Sequence, residues 1–200
     1  MSFLKNDTIC AIATASGTAA VSMIRMSGKD SHKIALSRFI RKKELTLDNI
    51  VANRMYYGEI TDLDSKIIDD VMVTFFKAPH SYTGETVVEI NCHGGIIVTK
   101  KILELVLFHG ARIAEPGEFT KRAFLNGKMS LTEAESVMNL ISAKSDRALN
   151  IATKNKEGAL SKKIKDMTDK LLYLVSEISV YSDFPEDETL CISEEDFLVS

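Results

Sequence analysis

Two charges sit inside segments that read as β-strands. Arg25 falls in the run Ala20 to Met26 (AVSMIRM) and Glu89 in Gly84 to Cys92 (GETVVEINC), both rich in apolar and β-branched residues. Strand alternation puts Arg25 on the face of Val21 and Met23, and Glu89 on the face of Val87 and Asn91. An unpaired charge there is costly, so each needs a partner. Either the two pair with one another or lie at a sheet edge, or they serve a ligand that offers both hydrogen-bond donors and acidic groups.

Just beyond Glu89, His93-Gly94-Gly95 joins that strand to a helix. Glycines there admit a ligand to the backbone and a helix N-terminus receives anions, but the same glycines serve a tight strand-to-helix turn. His93 has no serine or cysteine nucleophile arranged with it, and no catalytic residue is assigned. A further polar group, Glu118, Lys121, Arg122, Asn126 and Lys128, lies between Glu115 and Glu135. Phe119, Ala123 and Phe124 are expected to anchor a short helix there and leave the loop at Asn126 exposed. The segment Asn126 to Ser130 (NGKMS) is no phosphate loop: the first glycine of G-x-x-x-x-G-K-[ST] would fall at Arg122, and no strand leads into it. Lys128 is thus a solvated turn lysine or part of a site of another kind.

The elements that position these residues change character near residue 120. Before it, strands are expected at Thr8 to Thr14 and Ala20 to Met26, and a hairpin at Met55 to Ile60 and Asp70 to Phe76 across a polar turn. Asp30 or Ser31 should cap a helix that buries Ile34, Ala35, Phe39 and Ile40, and Val98, Ile102, Leu105 and Val106 mark a second. After it, apolar residues fall only at helical spacing. Ser130 and Glu133 fit a capping box for a helix burying Leu131, Ala134, Met138 and Ile141. Beyond a polar break at 143–147, Leu160, Ile164, Met167, Leu171, Leu174 and Ile178 form a heptad seam that requires a partner, in the chain or across a dimer. The expected fold class is α+β, with a mixed domain over 1–120 and an all-α region over 121–200. An acidic tail follows Tyr181, with Pro185 ending the last helix.

Composition excludes little and helps. With 45% hydrophobic and 26% charged residues the chain can bury a core, and its net charge of −3 gives no global attraction to nucleic acid. RNA contact would need a local basic patch or a partner. Cys10, Cys92 and Cys191 are too scattered for a disulfide framework or a zinc site, and no metal site is expected. Neither a signal peptide nor a membrane span is readable, so a cytoplasmic protein without a membrane partner is expected.

Five segments together resemble one family, the bacterial tRNA modification GTPases MnmE, also called TrmE. They are SMIRMSG at 22–28, the AP-x-SYTGE run from Ala78 to Glu85, EINCHGG at 89–95, PGEFTKRAFLNGK at 116–128 and DFPEDE at 183–188. The thirteen-residue match at 116–128 is the most specific. The resemblance implies an N-terminal domain related in fold to the folate-dependent aminomethyltransferases, binding a tetrahydrofolate derivative (5-formyl or 5,10-methylene) through Arg25, Glu89 and Lys128. A carboxylate such as Glu89 suits the paired N–H donors of a pterin, and Arg25 and Lys128 its carbonyl or glutamate tail. It also implies a homodimer, the partner MnmG, action with it on carbon five of a tRNA wobble uridine, and a GTPase domain inserted further on. GTP, magnesium and potassium would belong to that domain, of which this chain carries no motif. Where the family has a Pro-Gly-Arg-Gly-Gly-type turn, this chain has Ser16-Gly17-Thr18-Ala19-Ala20, and Ser130 stands where aspartate is frequent. The rival readings are a dimerisation scaffold and a free-standing folate aminomethyltransferase.

Overall fold

Among residues 7–183, which the computed structural model describes, short β-branched runs build a seven-stranded sheet. Its strands are β1 (Ile9–Ile12), β2 (Val21–Ser27), β3 (Phe39–Ile40), β4 (Met55–Thr61), β5 (Ile67–Phe76), β6 (Val87–His93) and β7 (Arg112–Ile113). The spatial order is β3-β4-β5-β6-β2-β1-β7, antiparallel except where β7 returns parallel to β1. Helices α1 (Ser31–Leu36) and α2 (Ile96–Phe108) pack on it, α2 against β1, β2, β5 and β6. Helix α3 (Glu118–Leu125) follows β7.

Alternation assigns the two faces of the sheet. Ile24, Met26, Val73, Phe75, Val88, Ile90 and Cys92 form the core with Ile34, Ile102, Leu105 and Val106 of the helices. The opposite face is open, and strand register lays it out in rows. One row runs Ala11, Arg25, Glu89, Thr74, Met55 and the next Met23, Asn91, Met72, Tyr57. The two strand-borne charges therefore lie in the middle of a face, on interior strands, and not at a sheet edge.

Several expectations need correction. Phe39 and Ile40 do not continue α1: the helix stops at Leu36, and the two residues pair with Ile60 and Glu59 as the edge strand. A six-residue helix has little propensity to extend itself, and pairing with the end of β4 wins. Asp30 precedes α1 without a side-chain cap.

The compact units divide between Met129 and Ser130 and not at the expected 120; α3 and the loop after it belong to the first unit. In the second unit the capping box of Ser130 and Glu133 is formed and starts α4 (Leu131–Ser142). A helix missed by sequence pattern, α5 (Asp146–Lys156), follows, and α6 (Ala159–Asp183) completes the described part. α5 has few large apolar residues, but Ser145 caps it through Ala148 N and Gly158 follows with a positive φ of 83°, the two signals that could have found it. The expected burial in α4 is not observed: Leu131, Met138 and Ile141 are exposed, and Ser136 is the buried residue. Likewise the seam of α6 is exposed except for half-buried Leu174. The acidic tail, including Pro185 and Cys191, lies outside the described residues.

Candidate functional site

Arg25 and Glu89 are cross-strand neighbours in register on β2 and β6, so their backbones alone bring them together. Nε and Nη2 of Arg25 donate to the same oxygen, Oε1 of Glu89, at 2.9 and 2.7 Å. The side chains keep 24% and 22% of their surface exposed, so the pair satisfies charge without being sealed from ligand. Oε2 of Glu89 receives no hydrogen bond from any described residue. The guanidinium also lies 5.4 Å from the ring centre of Tyr82 and 5.9 Å from that of Phe119, the range of cation–π attraction.

Tyr82 belongs to the 78–85 loop, whose second half is pinned by hydrogen bonds. Its hydroxyl shares a 2.9 Å hydrogen bond with Thr120 of α3, while the Ser27 hydroxyl reaches Thr83 and Glu85 at 2.6 Å each. Lys128 meets the same loop elsewhere. At the end of α3, Gly127 takes a left-handed φ of 69°, with Lys128 N donating to Ala123 O and Gly127 N to Phe124 O, the Schellman pattern. That turn reverses the chain and carries the lysine to the carbonyl of Pro79, 3.2 Å from Nζ. Gly84 there takes a left-handed φ of 78°, which disfavours a side chain, and a Cβ on it would stand 3.1 Å from the Lys128 stem. Lys128 forms no hydrogen bond or ion pair with Arg25 or Glu89; the 78–85 loop links Lys128, at Pro79, to Arg25, at Tyr82, and Glu89 joins them through its pairing with Arg25.

The group beneath this loop was only partly legible. Arg122, 4% exposed, donates to Asp7 Oδ1 at 2.6 Å, to Glu118 Oε1 at 3.1 Å and to Glu85 Oε2 at 3.2 Å. Arg112 chelates the carboxylate of Glu118 at 2.7 and 3.0 Å and reaches Asp7 at 2.8 Å. The hydrogen bond from Arg112 leads the causes that hold Glu118 down to about 2. Burial works against ionisation of Asp7, but the two arginines outweigh it and lower its pKa. α3 is thus fastened by buried Glu118 and Arg122 together with Ala123, while Phe124, an expected anchor, is exposed. A salt-bridged helix face looks in sequence like a solvated one, which is why the residue types gave no warning.

His93 ends β6, largely exposed, with its Nδ1 2.6 Å from Asp69 Oδ1 and its backbone N–H donating to Asp69 Oδ2. That carboxylate raises the histidine pKa, by hydrogen bond and by charge. The neighbouring glycine serves the fold: a Cβ at Gly94 would lie 2.3 Å from the carbonyl oxygen of Ala19, while Ala19 N donates to Gly94 O and Gly94 N to Ala20 O. Cys10 and Cys92 are free and buried, and burial pushes the Cys10 thiol up to about 11. Among the described residues no cluster of three metal-ligating side chains occurs, and no helix is long and apolar enough to cross a membrane.

Comparison with known proteins agrees with these motifs. Residues 8–128 match the family model of the GTP-binding protein TrmE N-terminus, and residues 131–199 match that of the MnmE helical domain. Among similar curated proteins, the tRNA modification GTPase MnmE of Alkaliphilus oremlandii is 47% identical over 184 residues, covering 92% of this chain and 40% of the relative. Its namesake from Latilactobacillus sakei is 47% identical over 184 residues, 92% of this chain and 39% of the relative, and that from Alkaliphilus metalliredigens is 48% identical with 92% and 40% covered. The chain spans about 40% of the length of the curated relatives it matches. With both units matched in order and nearly half of the aligned residues identical, the chain belongs to the MnmE (TrmE) family of tRNA modification GTPases.

Proposed function

We propose that the first unit binds a tetrahydrofolate derivative on the open face of its sheet through Glu89, Arg25 and Lys128. The observation that carries this is the free Oε2 of Glu89 beside a guanidinium that lies within 6 Å of two aromatic ring centres, those of Tyr82 and Phe119. The donor set fits the group: a carboxylate oxygen for the pterin's N–H donors, a guanidinium edge for its carbonyl, rings for its flat face, and an exposed ammonium for an anionic tail. When bound, the folate supplies a one-carbon unit. The residues of this chain bind and orient it, and none of them is assigned a proton-transfer step.

In the same reading the chain forms a homodimer through that face, where Tyr57, Met55 and Met72 leave apolar surface exposed beside the charged pair. The parent protein, with MnmG, would modify carbon five of the tRNA wobble uridine, with GTP hydrolysis in a further domain driving rearrangement. Free thiols at Cys10 and Cys92 suit a reducing, cytoplasmic setting.

Calorimetric titration of 5-formyltetrahydrofolate into the chain tests the site. Saturable binding that weakens at least about tenfold in Glu89→Ala supports it, a loss of one charge-assisted contact being worth about 1.5–3 kcal/mol. No binding, or equal binding by the variant, sinks it and leaves the sheet face as a dimerisation scaffold.

A further inference from the structure

The chain's net charge is −3, yet four cations, Arg41, Lys42, Lys43 and Arg54, crowd the segment 41–54 against two acids, Glu44 and Asp48. This segment connects edge strand β3 to β4 and encloses a cavity of about 230 Å³ lined by Arg41, Lys43, Glu44, Asn49, Arg54 and Tyr56, among others. Two guanidiniums converge on one ring: Arg41 lies 5.1 Å and Arg54 5.7 Å from the centre of Tyr56. The ring itself is fixed. Tyr56 is buried, packs edge-on to Phe75 at 5.8 Å, and its hydroxyl accepts from Val51 N at 2.8 Å. The loop is held too, with Thr46 N donating to Asn49 Oδ1 at 2.8 Å, Asn49 Nδ2 to the Glu44 carbonyl at 3.2 Å and Asn53 N to Phe75 O at 2.9 Å.

None of the four cations forms an ion pair among the described residues, although Glu44 shares the cavity. Like charges gathered without counter-ions repel, and the fold tolerates that where an external anion completes the group. An arginine stacked on an aromatic ring keeps its N–H edge free, and that edge matches two oxygens of a phosphate. Two such edges on one cavity, with the exposed lysines Lys42 and Lys43 next to Arg41 in the chain, offer donors to more than one phosphate. We propose that the 41–54 loop is a binding site for the phosphodiester backbone of RNA. The phosphate chemistry stands on the geometry alone, whereas the choice of RNA as its source rests on the proposed tRNA-modifying role.

The test is fluorescence anisotropy of a labelled RNA stem-loop titrated with the chain at several salt concentrations. Four phosphate contacts predict a log–log salt slope of about −3, and Arg41→Gln/Arg54→Gln is expected to halve it and to weaken binding tenfold or more at 50 mM salt. Glu44→Lys should tighten binding, a gain that misfolding cannot mimic. Calorimetry with 5-formyltetrahydrofolate on the double variant reads the folate site separately, so failure of one proposal does not pass for failure of the other. Unchanged RNA affinity in the double variant overturns the assignment, as does absence of RNA binding by the wild type. Displacement of the RNA by inorganic phosphate or poly-glutamate at equivalent charge also overturns it, since the loop is then a general anion site.

Discussion

Arg25 directs two N–H donors at a single oxygen of Glu89, and its neighbour oxygen is left to whatever approaches the open face of the sheet. The pair is cross-strand, about a quarter exposed and directly opposed in register, a setting worth about 0.2–1 kcal/mol. Glu89→Gln should therefore lower unfolding free energy by no more than about 1 kcal/mol in a urea titration. Folate affinity should fall by at least about tenfold in the same variant. A large stability loss with unchanged affinity would make the pair structural.

Arg122 behaves differently. It is buried with three carboxylates around it, those of Asp7, Glu85 and Glu118. Arg122→Met leaves these acids facing one another with Arg112 as the remaining neighbouring cation, and the expected cost is about 3–5 kcal/mol in urea or thermal unfolding. A cost below about 1 kcal/mol would show that the network is solvated in solution.

Two groups give the chain opposite pH dependences. Glu118, held at about 2, contributes stability that is fully present above the ordinary carboxylate range and is lost as pH falls toward 2. His93, raised by Asp69, contributes stability that is full below the ordinary histidine range and is lost as pH rises through its raised folded value. An NMR titration of the His93 ring should show the raised midpoint in the wild type and its return to the ordinary range in Asp69→Asn. An unchanged midpoint in that variant would break the assignment.

The apolar surface beside the charged pair offers a check on self-association. Tyr57 and Met72 are cross-strand neighbours on the open face, 62% and 37% exposed. Tyr57→Lys/Met72→Lys should shift sedimentation equilibrium from dimer toward monomer by tenfold or more in dissociation constant, while the circular dichroism spectrum stays that of the wild type. Loss of the dimer without these substitutions, simply on dilution to micromolar concentrations, would count against a stable interface on this face.

Strand alternation is enough to put Arg25 and Glu89 on faces where each needs a partner, and the pairing between them is one of the three outcomes that alternation allows. The same reasoning failed at Phe39 and Ile40, whose helical spacing from Ile34 is overridden by an empty edge on β4. It failed again in the second unit, where Leu131, Met138 and Ile141 have the spacing of a buried face and are exposed in this chain. Periodicity reports that a face wants cover and says nothing of what provides it. The network at Arg122 was illegible for another reason, since its acids come from residues 7, 85 and 118 and no local pattern links them.

That network also bears on the order of events in synthesis. Asp7 and Arg122 are separated by 115 positions, and β1 acquires its outer neighbour, β7, only at Arg112. Contacts of such long range form late, because the intervening chain must be ordered first. A nascent chain that has emerged as far as β6 still lacks the cations that neutralise Asp7 and Glu85, and its first strand has an unpaired edge. The first unit is closed by its last helix, so it completes itself only when the ribosome has delivered nearly all of it.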